Sequence, residues 1–494
     1  MRISRPRLSF WQIINMNVGF FGIQYSFGLQ QSAVNPIYDF LGAKPDEIPW
    51  LNLAGPLTGL IIQPIIGALS DKTWSPKFGR RKPYFLIGAI CCSIALFLFP
   101  FSSSLWMAAG LLWILDAGNN TAMEPYRAFV ADKLDATQQP TGFQAQSFFT
   151  GFGQTLANVS LFVFPLIIIG HTGKIPNWVF ASFMVGAFCS VASVLWSMRT
   201  TPEIPPTAAE LEEIKKKNEG MPHLVVQFFL SLITTVIAYI VLIVLLIPEI
   251  FFRGTIKKLL KQIEKNKVLK SAFAQNTEII EAISKMPKVM WQLALVYLFQ
   301  WYALFCYWQN SSKSIALSVY NATPDNTELY EKAVGLAGLV NAWYNIITFL
   351  VAFLLVGFAR KYSPKWVHLF CVAIAGIGFI AFPFIENKEL LFVAISGFGI
   401  GWASMMGIPY LMVVSEIPKE RYGVYMGIIN MMIVIPMFIQ TVTFGFILKH
   451  FLNNDPGNAI LFAGILLLIA AFFTAFITTK KPEDDKIVLS IGSH

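Results

Sequence analysis

Charged residues are scarce in this chain. Only 13% of its 494 residues are Asp, Glu, Lys or Arg, whereas 55% are hydrophobic, and the mean hydropathy is +0.59. A soluble chain of this length cannot bury so much apolar surface in its core. The composition therefore excludes an ordinary soluble protein and predicts a polytopic membrane protein.

Cysteine and the common catalytic motifs are also scarce or missing. The five cysteines all fall in apolar runs and are odd in number, which argues against a disulfide framework or a cysteine metal site. The five histidines lack metal-ligand spacing, and the sequence has no Walker or Rossmann fingerprint and no nucleophile with its base. We therefore expect no metal, no cofactor and no enzymatic activity.

Long apolar runs, in contrast, are abundant. The first has no small-residue cleavage site of a removable signal peptide, so we expect it to remain in the protein as a helix. Two sets of six runs have roughly the 20 residues that a membrane-spanning helix needs. The first set covers residues 10–33, 50–70, 83–101, 103–131, 143–170 and 177–198, and the second covers 289–309, 333–359, 366–385, 389–415, 422–448 and 458–479. The pattern predicts an all-α membrane protein made of two six-helix bundles.

The positive charges give this arrangement an orientation. If both termini are cytoplasmic, the cytoplasmic segments hold 30 of the 37 Lys and Arg residues and the outside loops hold 6. Cytoplasmic loops carry this excess in membrane proteins. The net charge of +9 is then explained by the basic cytoplasmic segments of a membrane protein rather than by binding to a nucleic acid. We expect a multi-pass protein of the plasma or inner membrane.

The chain divides at its most basic segment. We predict an N-terminal bundle over residues 1–198, a central cytoplasmic linker over 199–288, a C-terminal bundle over 289–479 and a cytoplasmic tail over 480–494. A thirteenth apolar run, 223–247, lies in the linker. Flanking positive charges and helix parity favour a segment that enters and leaves on the cytoplasmic side or lies in the interface. A true crossing stays open, because the run contains no Gly or Pro to bend it.

Of the long apolar runs, the fourth is expected to be the only one with ionisable side chains inside it: Asp116, Glu124 and Arg127. A charge at bilayer depth costs about 2.5 to 3.5 kcal/mol, so such residues usually handle ions or protons. We interpret Asp116 as a proton-binding residue, with a structural hydrogen bond between helices as the alternative. Glu124 is either a second coupling residue or a structural partner of Arg127 or of the basic loop residues.

An internal repeat connects the two sets of runs. Residues 125–132 (Pro-Tyr-Arg-Ala-Phe-Val-Ala-Asp) align with residues 409–416 (Pro-Tyr-Leu-Met-Val-Val-Ser-Glu). Parallel six-helix repeats with a site between them at mid-membrane are typical of major-facilitator transporters. The loop after the second run, with Asp71, Arg80 and Arg81, resembles the loop signature of that superfamily. The resemblance implies that charges at helix ends hold one conformation, and we assign this gating role to Asp71, Arg80, Arg81, Arg127, Asp132 and Glu416.

A narrower resemblance is to the sucrose/proton symporter family within the glycoside and disaccharide cation symporters. Its motifs spread over most of the chain. The matching residues are Gly22, Gln24, Leu29, Gln30, Pro36, Leu41, Gly42, Gly55-Pro56, Gln63-Pro64, Ser70-Asp71, Phe78 to Arg81, Pro83, Trp113 to Asp116, Asn119-Asn120, Pro125, Arg127-Ala128, Ala131-Asp132, Trp301-Tyr302, Gly427, Asn430 and Ile433 to Pro436.

The resemblance implies proton-coupled import of an α-glucoside such as sucrose or maltose, with Asp116 similar to the family's proton site. The chain departs from the family pattern at Glu124, where a small residue is usual, at Met437, where Gln is common, and in the central insertion.

Sugar sites combine hydroxyl-binding amides with flat aromatic surfaces. The candidate substrate-binding residues are Gln24, Gln30, Asn119, Asn120, Gln300, Trp301, Tyr302, Asn341, Trp343, Tyr344 and Asn345. For each aromatic residue, a lipid-facing position is an equal alternative. The expected partners are a small sugar, protons and the bilayer, and the expected state is a monomer. A sodium-coupled symporter, an uncoupled facilitator and a sugar sensor without transport remain alternatives.

Overall fold

The computed structural model describes residues 7–135, 138–209, 211–212, 214, 226–229, 231–233, 235, 282–283, 285–414, 416–417 and 422–478. Most of the linker lies outside these residues. The prediction for the apolar run 223–247 therefore falls mainly outside the described residues, and that for the tail 480–494 falls wholly outside them.

Twelve long helices make up the described fold, and the predicted all-α architecture is confirmed. The first six are α1 (Phe10–Phe40), α2 (Ala54–Lys72), α3 (Lys82–Leu98), α4 (Leu105–Lys133), α5 (Gln139–Ile167) and α6 (Asn177–Thr200). After the linker follow α7 (Lys288–Tyr320), α8 (Thr327–Tyr362), α9 (Pro364–Ala381), α10 (Lys388–Val414), α11 (Tyr422–Phe451) and α12 (Pro456–Thr474). Smaller elements are a one-turn helix Ile48–Leu51, two 3₁₀ turns and a two-stranded hairpin of β1 (His171–Thr172) and β2 (Ile175–Pro176).

Ten segments of the described chain are long and apolar enough to cross a membrane. The two long helices outside this set are α1 and α4. Both carry buried amide and carboxyl side chains, which lower their hydropathy. Two helices that contribute polar residues to the interior are therefore too polar to be selected by hydropathy.

The internal repeat is visible in the helix geometry. Pro125 lies inside α4 and Pro409 inside α10, at nearly the same distance from the helix start. A second match was not predicted: α3 and α9 are each followed by a Phe-Pro-Phe 3₁₀ turn, Phe99–Phe101 and Phe382–Phe384. The two halves thus share the proline in their fourth helix and the 3₁₀ turn after their third.

The helices alternate in direction, so their connections lie at two opposite ends. We call the end with the connections 73–81, 134–138 and 201–209 the terminal end, because α1 begins there and α12 ends there. The opposite, or distal, end carries the connections 41–53, 168–176, 321–326 and 452–455.

Two helices extend beyond their predicted apolar runs and bring further ionisable residues into the interior. α1 continues to Phe40 and α7 to Tyr320, so both extend beyond the predicted ends at 33 and 309. They therefore include Asp39 and Lys313, both buried. The predicted runs stopped short because polar residues follow residues 33 and 309 in the sequence. In the fold the helices continue through these residues, and the side chains of Asp39 and Lys313 lie 3.4 Å apart.

Close helix contacts position the central helices. A Cβ at Gly153 of α5 would lie 2.6 Å from the Phe21 carbonyl oxygen of α1, and one at Gly118 of α4 would lie 2.8 Å from Cys92 Sγ of α3. Only glycine permits such approaches between backbones. The second contact brings α3 against the polar face of α4.

Candidate functional site

Asp116 of α4 is fully buried, and only one of its carboxyl oxygens has a partner in the described part of the chain. Its Oδ1 accepts a hydrogen bond of 2.8 Å from Gln30 Nε2 of α1. Its Oδ2 has no partner there, and a Cβ at Gly55 of α2 would lie 3.6 Å from it. A buried polar atom without a partner is costly, so it indicates a place where a proton or a ligand group can bind.

Asn119, on the same part of α4, holds Gln30 in place. Its Nδ2 donates to Ser26 Oγ at 3.1 Å and lies 3.5 Å from Gln30 Oε1. Its Oδ1 accepts from Cys92 Sγ at 3.1 Å. Asn119 therefore orients the amide that binds Asp116.

A chain of amides runs from Asn120 to the second half of the protein. Asn120 Nδ2 donates to Thr58 Oγ1 and to the Asp116 carbonyl oxygen, at 3.0 and 2.9 Å. Gln63 Nε2 donates to Asn120 Oδ1 at 2.6 Å, and Asn430 Nδ2 of α11 donates to Gln63 Oε1 at 2.9 Å. Gln63 thus links the Asp116 region to a helix of the other half.

A cavity of about 50 Å³ lies between the two halves, on the distal side of this amide chain. It is lined by Gln30, Gln31, Asn35, Asn52, Gly55, Phe305, Trp308 and Gln309. Asp116 lies directly behind Gln30 and Gly55. Small-molecule sites usually have roughly 300 Å³ or more, so this space is too small to hold a disaccharide.

An aromatic group forms the wall of the cavity on the side of the second half. Trp308 lies 5.6 Å from Phe305 and 5.7 Å from Trp402, between ring centroids, and Trp301 lies 5.6 Å from Trp402. The Trp301 indole nitrogen is buried without a partner among the described residues. Trp301, one of the predicted aromatic residues, thus lies behind the cavity wall and is separated from Trp308 by Trp402.

The other predicted residues of α7 and α8 lie mainly inside the second half. Gln300 Nε2 lies 2.8 Å from His368 Nε2, and the Tyr302 hydroxyl lies 2.9 Å from Thr443 Oγ1. Tyr344 packs against Phe398, with ring centroids 4.7 Å apart. These side chains support the helices that carry the cavity wall.

Asn341 and Asn345 lie on the inner side of α8, whereas Trp343 lies on its outer side. Asn341 Nδ2 donates to Ser32 Oγ of α1 at 3.0 Å, so it joins the two halves, and Asn345 Nδ2 donates to the Asn341 carbonyl oxygen at 3.0 Å. Trp343 is 37% exposed and donates to Ser396 Oγ at 2.9 Å, away from the cavity. The exposed position of Trp343 agrees with the lipid-facing alternative.

Gln24 is also turned away from the cavity. It lies nearer the terminal end of α1 than Gln30, and its Oε1 accepts from Gln154 Nε2 of α5 at 2.9 Å. Both amides are buried. Gln24 therefore stabilises the packing of α1 on α5.

Glu124 and Arg127 form a pair with each other. Arg127 Nη1 donates to Glu124 Oε1 at 3.0 Å, one turn along α4, and both side chains are partly exposed. The helix rise between Asp116 and Arg127 is about 16 Å, too far for a direct contact. The pair leaves Asp116 without a cationic partner on its own helix.

Four of the predicted gating residues, Asp71, Arg80, Arg81 and Asp132, meet at the terminal end, whereas Arg127 does not join them. Arg81 binds Asp71 Oδ1 at 2.5 Å, Asp132 Oδ2 at 3.0 Å and Ser70 Oγ at 2.6 Å, and Arg80 donates to the Asp71 carbonyl oxygen at 2.6 Å. Bonds of a guanidinium to several acceptors are geometrically specific. Arg81 thus joins the ends of α2 and α4.

Glu203, which the sequence patterns did not identify, completes this cluster. Its carboxylate accepts from the backbone N–H groups of Arg80, Arg81 and Lys82 at 2.7 to 2.9 Å. These donors precede or begin α3, where negative charge is favoured. In the second half, Glu416 follows the end of α10, as Asp132 lies at the end of α4, and its N–H bonds the Val413 carbonyl oxygen at 2.9 Å.

Several cavity residues were missed as binding candidates. Asn35, Asn52 and Gln309 line the cavity, and Gln309 Oε1 accepts from Gln440 Nε2 at 2.9 Å. A signal was present: Gln31, Asn35 and Asp39 repeat every four residues, which places them on one face of α1. The predicted apolar run ends at residue 33, so Asn35 and Asp39 were not assigned to the same helix as Gln31.

Comparison with known proteins agrees with this architecture. The model of the Major Facilitator Superfamily matches residues 16–441. Sucrose transport protein SUT1 of Oryza sativa subsp. japonica is 23% identical over 470 residues, covering 85% of this chain and 78% of that protein. Sucrose transport protein SUC3 of Arabidopsis thaliana is 29% identical over 193 residues, covering 35% and 30%.

Solved structures share the fold at low identity. A point mutant of the nucleoside transporter NupG matches with a TM-score of 0.65 and 12% identity, over 95% of this chain and 100% of that chain. The partially occluded inward-open xylose transporter XylE from E. coli matches with a TM-score of 0.61 and 13% identity, over 95% and 98%.

Proposed function

Because the chain belongs to the major facilitator superfamily, we propose that it is a secondary transporter that imports a disaccharide or α-glucoside together with a proton by alternating access. The two units that move against each other are residues 1–198 and 289–479, and both termini are cytoplasmic. The similarity to plant sucrose transport proteins supports a sugar of the sucrose or maltose type.

The observation that carries the proposal is the half-satisfied carboxyl of Asp116 beside a cavity between the halves. Oδ1 is fixed by Gln30, whereas Oδ2 lies near Gly55 without a partner in the described chain. A proton on Oδ2 would allow the group to donate to a sugar hydroxyl, and a carboxylate would accept from one. Proton and substrate would then affect each other's binding.

The cavity lining suits a neutral, polyhydroxylated ligand. The amides of Gln31, Asn35, Asn52 and Gln309 offer both donors and acceptors for hydroxyl groups. Trp308 adds an indole face against which a sugar ring can pack. The present cavity of about 50 Å³ must widen to admit a disaccharide, which fits a closed state of a transport cycle.

The test is uptake of labelled sucrose and maltose into proteoliposomes with an imposed proton or sodium gradient. We expect a proton gradient to drive accumulation in the wild type. Asp116→Asn should abolish accumulation but retain exchange of sugar across the membrane, because the amide keeps the shape and cannot carry a proton. Glu328→Gln is the matched control, since Glu328 is an exposed carboxylate paired with Lys332.

Each alternative has a different result. Accumulation driven only by sodium would support a sodium-coupled symporter, and equilibration without accumulation would support a facilitator. Sugar binding without any transport would support a sensor. Proton-driven accumulation that survives in Asp116→Asn would contradict the assigned role of Asp116.

A further inference from the structure

A buried ion pair joins the two halves near the distal end. Lys313 Nζ of α7 lies 3.4 Å from Asp39 Oδ1 of α1, and their side chains are 6% and 3% exposed. The other carboxyl oxygen, Oδ2, accepts a hydrogen bond from the Tyr330 hydroxyl of α8. One carboxylate of the first half is thus bound by two residues of the second half.

Further contacts across the same interface surround this group. Phe40 packs against Tyr330, with ring centroids 5.5 Å apart. Toward the cavity, Asn35 Nδ2 lies 3.4 Å from the Trp308 carbonyl oxygen. Nearer the surface, Glu331 of α8 binds Trp178 Nε1 at 2.8 Å. The ion pair therefore lies between the cavity and the distal surface, where the halves are closed.

Separation of the halves at this end must break the ion pair, because its members lie on different halves. A buried charge whose partner leaves is strongly destabilised unless water reaches it. Opening supplies that water, so both charged groups are satisfied in an open state as well. The pair is thus compatible with two conformations and unfavourable in a dry intermediate.

We propose that Asp39, Lys313 and Tyr330 form the distal gate of the transport cycle, which holds the halves together on that side of the cavity. The proposal rests on the alternating access proposed above and adds residues to it. Asp39 is held by both partners, so its removal affects two helices of the second half.

The gate makes different predictions for single and double substitutions. Asp39→Asn leaves Lys313 buried without a counter-charge, and Lys313→Met leaves Asp39 buried without one. Each should raise the ratio of distal-open to distal-closed molecules by roughly tenfold or more, because water stabilises the remaining charge in the open state. The double variant Asp39→Asn, Lys313→Met buries no unpaired charge and should fall between the singles and the wild type.

Distances between spin labels at Lys44→Cys and Thr327→Cys measure this ratio without any substrate. Both positions are exposed, and they lie on opposite halves at the distal end. The native cysteines are replaced first. Lys332→Met is the matched control, because it removes a lysine from an exposed pair within α8 at the same end. The control should keep the wild-type distances.

The gate is contradicted if the distances between the labels in the single and double variants equal those of the wild type. It is also contradicted if Lys332→Met shifts these distances as much as the gate variants do. If the single variants do not fold, the double variant decides: a larger distal-open fraction than in the wild type supports the gate, and an unchanged fraction contradicts it. The distances are measured without sugar or a proton gradient. The gate can therefore be tested even if the wild type shows no sugar uptake.

Discussion

At the scale of single residues, the arrangement around Asp116 depends on small side chains as much as on polar ones. Gly55 leaves the space in front of Oδ2, and Gly118 allows α3 to approach so that Cys92 bonds Asn119. Asn119 then lies next to Gln30, which donates to Asp116. The carboxyl is therefore held by Gln30 at Oδ1, whereas Oδ2 is buried without a partner among the described residues.

Gly55→Ala tests the need for that space. The added methyl group would lie 3.6 Å from Asp116 Oδ2, between the carboxyl and the cavity. One extra methyl group in a binding pocket changes discrimination by about tenfold, so we expect a similar rise in the KM of sugar uptake. The measurement is initial uptake rate against sugar concentration in proteoliposomes.

Gly67→Ala is the control on the same helix, because a Cβ there meets nothing within 4 Å. It should retain the wild-type KM. An unchanged KM in Gly55→Ala would mean that the substrate does not approach Oδ2 from the cavity.

At the scale of helices, α1 and α2 each contribute polar contacts between the halves, on opposite sides of the cavity. α1 contributes Ser32, Asn35 and Asp39 on the distal side. α2 contributes Gln63, which lies between Asn120 and Asn430, on the side of the terminal end. The cavity is thus enclosed by a charged contact on one side and an amide contact on the other.

Gln63→Leu and Asn430→Leu should act at the end opposite to the Asp39 and Lys313 variants. Each removes one partner from a partly buried hydrogen bond between α2 and α11, which costs roughly 1 to 3 kcal/mol and favours separation of the helices. We expect the terminal-open fraction to rise about tenfold. Spin labels at the exposed positions Lys77→Cys and Lys361→Cys report this fraction.

Gln292→Leu is the matched control for this prediction. Gln292 donates to the Phe476 carbonyl oxygen within the second half, so its loss should leave the separation of the halves unchanged. A shift in this control as large as in Gln63→Leu, or no shift in either interface variant, would contradict the role of the amide chain.

At the scale of the whole molecule, the orientation in the membrane follows from the positive charges rather than from the fold. The loop with Lys77, Arg80 and Arg81 lies at the terminal end, and the connection with Lys44 lies at the distal end. The excess of positive charge at the terminal end predicts that this end is cytoplasmic. The distal gate would then face the outside.

Labelling of single cysteines in intact cells tests this orientation. A membrane-impermeant maleimide should label Lys44→Cys directly and Lys77→Cys only after permeabilisation, since the two exposed positions lie at opposite ends. Labelling in the reverse order would show that the termini lie outside and that the direction of import is wrongly assigned.

The class, the number of helices and the repeat could all be predicted from residue patterns alone. A bilayer requires long apolar helices, so the runs predicted the twelve helices, and the Pro125 and Pro409 motifs fall at corresponding places in α4 and α10. Asp116 stood out because a carboxyl in such a run is costly. The helix-end motifs also selected Asp71, Arg81 and Asp132 for one role, and the structure brings these three side chains into contact.

Which polar groups meet, in contrast, depends on how the helices pack. Asp39 and Lys313 are far apart in the chain and lie beyond the predicted ends of the apolar runs, yet packing of α1 against α7 buries them together. Gln63 and Asn430 likewise meet across the halves, whereas Gln24 and Trp343 are turned away from the cavity. Hydropathy records how much of a helix is apolar, but the partner of a buried polar group depends on helix rotation and packing.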